Sequence, residues 1–334
     1  MDQIEARARR SPKRILFPEG EEGHVVQAAA LLLERGLARP VLLGRPASIR
    51  ETARAIRVDA SALDIIDIED STEISELSRQ YAEERSIPES AARRIVSQPL
   101  CFGAMLTRRG TAHGMVAGLA HATEDVVTAA QLIIGLQQGV SSPSSFFLME
   151  VPDCPYGEDG RLIFADPAII PAPDAEQLCD IAIAGARSAR GLLGWEPRVA
   201  MLSFSTKGSA DHRSIRHVIE ATEMVRRREP GLAVDGELQA DAALVPAVAA
   251  KKLPPSAGSP GVAGSANTLI FPDLNAANIG SKLVQRLAGA HAYGPLLQGF
   301  ARPVSDLSRG ATVEDVVGAA VLVAAQDPFE QPPC

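Results

Sequence analysis

Short apolar segments alternate with helix-forming segments from the start of the chain, and this alternation constrains the fold most. Residues 14–17 form an apolar run that ends at Pro18-Glu19-Gly20. Residues 25–35 carry an alanine- and leucine-rich helical face that stops at Gly36, and residues 40–44 form a second apolar run. The order strand, helix, strand predicts a parallel sheet that is covered by helices.

The alternation continues along the chain, with a change of rhythm near Ser144. Further strands are predicted at 63–68, 114–118, 146–151, 163–166, 199–204 and 269–272, and helices at 75–85, 90–97, 125–134, 175–193, 214–228 and 277–288. Residues 234–237 are interpreted as the start of a connection. The pattern predicts two α/β domains with a cleft between them, and ligands of such sheets usually bind beyond the carboxyl ends of the strands.

The composition narrows the class of protein. The chain has 334 residues, 46% of them hydrophobic, which is enough for one large domain or two ordinary ones. No apolar run approaches the roughly 20 residues that span a bilayer, and residues 1–14 lack a signal-peptide core. We therefore expect a soluble, cytoplasmic protein that binds no membrane. The net charge of −8 argues against nucleic-acid partners.

One segment near the C-terminus, residues 306–315, concentrates reactive side chains. Thr312 is a predicted N-cap, and the first turn of the following helix carries Glu314 and Asp315, which the helix dipole favours. Ser308 and Arg309 then lie in the loop that enters the helix. A guanidinium that binds an anion near a carboxylate suits a reaction that pairs phosphate recognition with proton removal.

Two other segments can bind an anion. Ser205, Thr206 and Lys207 follow a predicted strand, where backbone N–H groups and the lysine can cradle a phosphate. The spacing of a P-loop is absent, and a plain polar loop is an equal alternative. Asn275 and Asn278 follow another strand, with Lys282 a turn later; helix capping is the equal alternative there.

Metal ligands and other catalytic motifs have weaker support. His113 and His121 lack a third ligand at convincing spacing, so we favour polar loop histidines. Asp235, Glu237 and Asp241 can be read as a carboxylate metal site, but capping and surface roles are favoured for at least two of them. No G-x-G-x-x-G follows a strand, and no Ser-His-Asp or Cys-His arrangement stands out. The cysteines, which show no C-x-x-C spacing, are expected to be buried free thiols, and no metal is expected; they are Cys101, Cys154, Cys179 and Cys334.

Several segments, taken in order with residues 306–315, resemble the phosphate acetyl/butyryltransferase family over nearly the whole chain. They are 15–20 (ILFPEG), 114–118 (GMVAG), 144–149 (SSFFLM), 202–209 (LSFSTKGS), 235–241 (DGELQAD), 271–275 (FPDLN) and 294–299 (GPLLQG). Each segment alone is a weak signal, and together in this order they form a strong one.

The resemblance implies an acyltransferase that converts acetyl-CoA and phosphate reversibly into acetyl phosphate and CoA, by direct thiolate attack in a ternary complex. Asp315 looks like the family's base for the CoA thiol. Ser308 and Arg309 look like the groups that hold the phosphoryl end and the developing oxyanion. CoA and acetyl-CoA would be substrates, with no tightly bound cofactor.

The resemblance also implies an isocitrate/isopropylmalate-dehydrogenase-like fold. Its first α/β domain would be discontinuous, with residues 1–145 and 295–334. The second would take residues 146–294. A homodimer is usual in the family, so a second copy of the chain is the expected partner.

Three positions depart from the family pattern. Thr128 stands where many members have the arginine of Asp-x-x-Arg-Pro, Ser281 where many have a tyrosine before Lys282, and His24 where the motif Gly-Glu-x-x-Arg has its arginine. A small residue at 281 indicates room for an acyl group larger than acetyl.

Three alternative functions stay open at this point. One is a transferase of a longer acyl chain, such as propionyl or butyryl. A second is a non-catalytic acyl-CoA sensor. The third, on fold analogy alone, is a metal- and NAD-dependent decarboxylating dehydrogenase.

Overall fold

Residues 1–70, 72–138, 140–253 and 261–326 are described by the computed structural model of the chain. Contacts between Cα atoms divide the chain into unit 1, from residues 1–138 and 300–334, and unit 2, from residues 139–299. The predicted domain limits at 145 and 295 lie a few residues from these divisions. Whether each unit is an independent domain stays a prediction.

The sheet of unit 1 is parallel, with the strand order β3-β2-β1-β4-β11. Its strands are β1 (Arg14–Phe17), β2 (Arg39–Leu43), β3 (Asp64–Ile66), β4 (Gly114–Ala117) and β11 (Val304–Asp306). The last of these comes from the end of the chain and pairs with β4, Val304 opposite Met115. Because β1, β4 and β11 are neighbouring parallel strands, the loops that follow them begin side by side at the carboxyl ends of the strands.

Helices precede, connect and follow these strands. They are α1 (Asp2–Arg10), α2 (Gly23–Glu34), α3 (Pro46–Ala55), α4 (Glu73–Arg85), α5 (Glu89–Val96), α6 (Pro99–Arg109), α7 (Thr123–Ala129) and α13 (Val313–Ala325). The helix predicted at 125–134 is shorter than expected, because α7 passes into a π-helical turn at Ala130–Ile134.

Helix α13 lies in the core of unit 1. Every residue from Val316 to Ala325 is buried, as expected for a helix that is apolar on all sides. It contacts α1, α2 and the strands β1, β4 and β11. The position of its N-terminal turn is therefore set by packing along the whole helix.

Unit 2 has a mixed sheet with the strand order β10-β5-β6-β9-β7-β8. The pairs β10-β5 and β5-β6 are antiparallel, and the remaining pairs are parallel. The strands are β5 (Ser144–Glu150), β6 (Arg161–Ala165), β7 (Arg198–Leu202), β8 (Ala233–Leu238), β9 (Thr268–Ile270) and β10 (His291–Gln298).

The helices of unit 2 cover this sheet. They are α8 (Ala175–Gly191), α9 (Arg213–Arg228), α10 (Ala240–Leu244), α11 (Pro246–Lys252) and α12 (Leu274–Leu287). Asp174 and Gln177 form a capping box at the start of α8, and Asp273 caps α12 through Ala276 N. Aspartate is among the residue types that most commonly cap helices. Met149, Phe164 and Leu202 contribute to the core.

The α/β class and most predicted elements are confirmed, and two strands that were not predicted, β8 and β10, have separate causes. Residues 234–237 belong to strand β8, although they look like a connection, because Asp235 and Glu237 find partners inside the fold. Strand β10 was not predicted, because Gly294-Pro295 interrupts its apolar pattern. In the structure, the Gly-Pro pair lies at a register shift between Tyr293 and Leu296.

Within the described part of the chain, no helix has the length and apolar character that crossing a membrane requires. Cys101 and Cys179 are buried free thiols and Cys154 is half-buried, whereas Cys334 lies outside the described residues.

Gly118, directly after β4, tests the close packing at the sheet edge. Its φ is +111°, and a Cβ there would lie 2.3 Å from Leu307 O and 2.5 Å from Asp306 Oδ1. We expect Gly118→Ala to lower the free energy of unfolding by about 2–4 kcal/mol. Gly36→Ala is the control: its φ is +65° with nothing near the new Cβ, so strain alone costs about 1 kcal/mol. Equal melting temperatures for the two variants would contradict this packing.

Candidate active site

The segment between β11 and α13 carries the predicted catalytic residues of unit 1. Leu307 N donates to Ala117 O at 2.6 Å, and Ala311 N donates to Ser308 O at 2.9 Å, so a tight turn follows the strand. Ser308 and Arg309 are exposed on this turn. The Arg309 guanidinium contacts no carboxylate among the described residues, which leaves its donors available to an anion.

Asp315 is part of a capping box. Its Oδ2 accepts hydrogen bonds from Thr312 N and Thr312 Oγ1, both at 2.8 Å, and Asp315 N donates to Thr312 Oγ1 at 3.2 Å. Both bonds use the same carboxylate oxygen, and Oδ1 has no donor among the described residues. The predicted cap is confirmed, and the capping box orients the candidate base while one oxygen stays available to accept a proton.

Helix α2 holds the same turn from the other side. His24 Nδ1 lies 3.0 Å from Ala311 O, so its proton must reside on Nδ1 for a hydrogen bond. Arg35 donates to both carboxylate oxygens of Glu314, at 3.1 and 3.3 Å. The departure at His24 therefore places a hydrogen-bond donor on the backbone of the reactive segment.

Glu19 holds the loop after β4, a role that sequence reasoning missed. Its buried carboxylate accepts hydrogen bonds from the backbone N–H groups of residues 118–121 at 2.8–3.2 Å, and His121 Nδ1 lies 2.8 Å from Oε1. A carboxylate directly after an apolar strand was the available signal. His121 is thus a loop histidine with a carboxylate partner.

Asp306, the last residue of β11, is a second buried carboxyl at this edge. Thr123 Oγ1 donates to its Oδ2 at 2.6 Å. Burial and the nearby charge of Glu19 raise its pKa to about 6, against the lowering effect of the Thr123 hydrogen bond. Two buried acids thus lie next to the exposed Ser308–Arg309 turn.

In unit 2, the side chain of Glu237 occupies the loop after β7, where the sequence predicts a phosphate. Glu237 Oε1 accepts hydrogen bonds from Ser205 Oγ at 3.0 Å and Gly208 N at 2.7 Å. Thr206 Oγ1 accepts from Gln239 N at 3.0 Å. Ser205 and Thr206 are buried. The predicted phosphate cradle is therefore an internally bonded loop, and phosphate binding by it stays a prediction.

Lys207 pairs with a buried carboxylate. Its Nζ donates to Asp235 Oδ1 and, at 2.7 Å, to Gly236 O; Arg226 Nη2 donates to the same Asp235 oxygen at 2.9 Å. Asp235 and Glu237 are buried, so the capping and surface roles expected for at least two of the three acidic residues are wrong. Asp241 alone is exposed, in an ion pair with Lys252.

The remaining predicted residues lie on α12. Asn275 and Lys282 are exposed, and Asn278 Nδ2 donates to Pro167 O at 3.1 Å. Ser281 is buried and donates to Ala277 O at 2.7 Å. It therefore lines no open space, which removes the argument for a larger acyl group from this residue.

Two further residues named from the sequence, His113 and Thr128, also lie in unit 1. His113 Nε2 lies 2.6 Å from Gln326 O, next to the end of α13. Thr128 is exposed on α7. Thus the structure gathers Ser308, Arg309 and Asp315 on one segment of unit 1, while the six predicted substrate-binding residues belong to unit 2.

Comparison with known proteins shows which family the chain belongs to. The sequence model of the family described as phosphate acetyl/butaryl transferase matches residues 1–324. A phosphate acetyltransferase of Thermoanaerobacterium thermosaccharolyticum is 46% identical over 329 residues, with 98% of each chain covered. One from Bacillus subtilis is 40% identical over 315 residues, with 94% of each covered.

A solved structure gives the same result. The phosphotransacetylase from Streptococcus pyogenes superposes with a TM-score of 0.89 at 39% identity, covering 97% of this chain and 96% of that one. Since both sequence and structure match over nearly the full length, the chain belongs to the phosphate acetyl/butyryl transferase family.

Proposed function

We propose that the chain is a phosphate acetyltransferase, which converts acetyl-CoA and phosphate reversibly into acetyl phosphate and CoA. The observation that carries the proposal is the single segment with an exposed Ser308 and Arg309 followed by Asp315 at a helix start. Acetyl-CoA, phosphate and acetyl phosphate are the proposed partners, and CoA acts as a substrate rather than a tightly bound cofactor.

Asp315 is the proposed base for the CoA thiol. A thiol with a pKa of about 8.5 is mostly protonated at neutral pH, although the thiolate is the nucleophile. A carboxylate that accepts the proton as the carbon–sulfur bond forms typically contributes roughly 10²–10⁴-fold. The capping box supports this role, because it occupies Oδ2 and leaves Oδ1 available.

Ser308 and Arg309 are the proposed contacts to the acetyl phosphate end. The guanidinium offsets the negative charge of the phosphate and stabilises the oxyanion that develops when the thiolate attacks the carbonyl carbon. The pair of electrons then returns to expel phosphate, which requires no covalent enzyme intermediate. Their exposure on the turn after β11 supports this assignment.

Substrate contacts in unit 2 belong to the same proposal. Asn275 and Lys282 are the accessible candidates on α12, whereas Ser205, Thr206 and Lys207 would have to exchange internal partners to meet a phosphate. Asn278 keeps one amide contact to Pro167 O. Lys282 is the candidate that most simply offers a positive charge to substrate.

A homodimer is the proposed assembly, and one face of α12 supports it. Ile279, Leu283 and Leu287 recur every four residues and are 57%, 53% and 82% exposed. Residues at this spacing share one helix face. A second copy of the chain that packs on this face would remove their apolar surface from water.

The activity itself is tested by acetyl phosphate formation. We expect phosphate-dependent turnover of acetyl-CoA, with lower initial rates for propionyl-CoA and butyryl-CoA at equal concentrations. Binding of acetyl-CoA without turnover in a folded preparation would instead support an acyl-CoA sensor.

Asp315→Asn tests the proposed base. Asparagine can still accept the Thr312 hydrogen bonds but cannot take the thiol proton, so kcat should fall about 10²-fold or more, with the melting temperature nearly unchanged. Glu314→Gln is the control: it removes a neighbouring carboxylate and weakens only its exposed ion pair with Arg35, which is worth about 1 kcal/mol or less, so kcat should stay within about twofold. Equal losses in both variants would contradict the assignment.

Arg309→Ala tests the phosphate contact. Loss of the guanidinium should raise KM for acetyl phosphate about tenfold or more, because a charge-assisted pair is lost. Arg309→Lys keeps the charge without the bidentate geometry and should recover part of the affinity. Unchanged KM in Arg309→Ala would remove this residue from the site.

Leu283→Glu tests the dimer face. A charge in the centre of the face should convert the dimer to a monomer in sedimentation velocity measurements, because an unpaired buried charge is costly. Ile219→Glu on α9, which is 36% exposed, should leave the dimer intact. A Leu283→Glu variant that stays dimeric places the interface elsewhere.

A further inference from the structure

Asp306 occupies an unusual environment for a carboxyl group. It is 1% exposed, and it ends β11 two residues before Ser308. One oxygen, Oδ2, accepts the Thr123 hydroxyl at 2.6 Å. The other, Oδ1, is buried and has no hydrogen-bond donor among the described residues.

The groups around Asp306 oppose its ionisation. Gly118 packs against Oδ1, since a Cβ on that glycine would lie 2.5 Å from it. Glu19 accepts hydrogen bonds from Gly118 N and approaches His121, so a second carboxylate faces the same loop. Burial and the Glu19 charge raise the Asp306 pKa to about 6, and the Thr123 hydroxyl acts in the opposite direction.

The charge of Asp306 is not what the fold requires. A buried carboxylate with an unpaired oxygen destabilises the folded state. An asparagine has nearly the same shape and can accept the same hydrogen bond from Thr123 without a charge. A carboxyl group at a destabilising position next to exposed Ser308 and Arg309 indicates a role in their chemistry.

We propose that Asp306 is a positioning residue for Ser308 and Arg309, and that its ionised side chain, bound to Thr123, fixes the end of β11 from which they reach the substrate. The inference rests on the proposed phosphate acetyltransferase function. The contact is physically suited to this role, because a hydroxyl bound to a carboxylate at 2.6 Å is a short, charge-assisted hydrogen bond.

Protonation of Asp306 removes the charge from this bond. As pH falls through about 6, the hydrogen bond to Thr123 weakens. The end of β11, where the Ser308–Arg309 turn begins, is then held less firmly. Turnover should fall on the acid side accordingly. The free energy of unfolding changes in the opposite direction. Because the pKa of Asp306 is raised on folding, the folded state binds the proton more tightly than the unfolded state does. The free energy of unfolding therefore falls as pH rises from about 4 to 6.

The pH profile of kcat is the main test, measured in the direction from acetyl phosphate and CoA. The wild-type chain should show an acid limb near pH 6. Asp306→Asn should lower kcat at pH 8 by about 10- to 100-fold through misplacement of the turn, and its profile should lack this limb. An unchanged kcat and an unchanged limb in Asp306→Asn would overturn the proposal.

Thr123 provides a matched pair of variants. Thr123→Val removes the hydroxyl that the Asp306 carboxylate binds, so kcat at pH 8 should fall as in Asp306→Asn and the acid limb should disappear. Thr123→Ser keeps a hydroxyl and should keep the wild-type limb. A full kcat at pH 8 and an unchanged limb in Thr123→Val would overturn the proposal, even where Asp306→Asn fails to fold.

Thermal unfolding separates positioning from a structural role. Asp306→Asn should melt above the wild-type chain at pH 7.5, and the difference should shrink toward pH 4.5. A variant that is both less active and less stable at pH 7.5 would show a structural role and overturn the proposal. A folded wild-type chain without turnover at pH 8 would contradict the proposed function and the positioning role together. The difference in melting temperature between the wild-type chain and Asp306→Asn would still show that the buried charge is destabilising.

Discussion

The burial of helix α13 within unit 1 is the constraint on which the candidate active site depends. Ten consecutive residues, 316–325, are removed from water and packed against α1, α2 and the strands β1, β4 and β11. Such packing leaves the helix no freedom to slide or rotate without opening cavities. Its first turn, with Thr312 and Asp315, consequently occupies a fixed place beside the end of β11.

Two buried carboxylates extend this constraint to the loops at the same sheet edge. Glu19 satisfies the backbone N–H groups of residues 118–121, and Asp306 binds Thr123 at the start of the next helix. The two acidic residues differ in the number of hydrogen-bond donors around their carboxylates. Glu19 has many donors, as a buried carboxylate requires, whereas Asp306 has an unpaired oxygen and a charge of the same sign nearby, that of Glu19. The first is a structural element of the loop, and the second is the better candidate for a functional one.

Unit 2 uses charge in another way. Glu237 occupies the loop of residues 205–209 as an internal anion, and Asp235 on the same strand binds both Lys207 and Arg226. A loop with the composition of a phosphate site can therefore be complete without a phosphate. Hydroxyl, lysine and glycine residues alone do not distinguish between an external ligand and a carboxylate supplied by a neighbouring strand.

The sequence by itself determined the α/β class, most of the described strands and helices, the cap at Thr312, and the reactive segment of residues 306–315, since these depend on local periodicity and capping chemistry. It also indicated the family, because ordered motifs extend over the chain. Only the tertiary structure decided that residues 233–238 form a strand, that Lys207 has an internal partner, and that Asp306 is buried with one oxygen unpaired. Those properties depend on which distant side chains meet, and a carboxylate in a sequence has no visible partner until the chain folds.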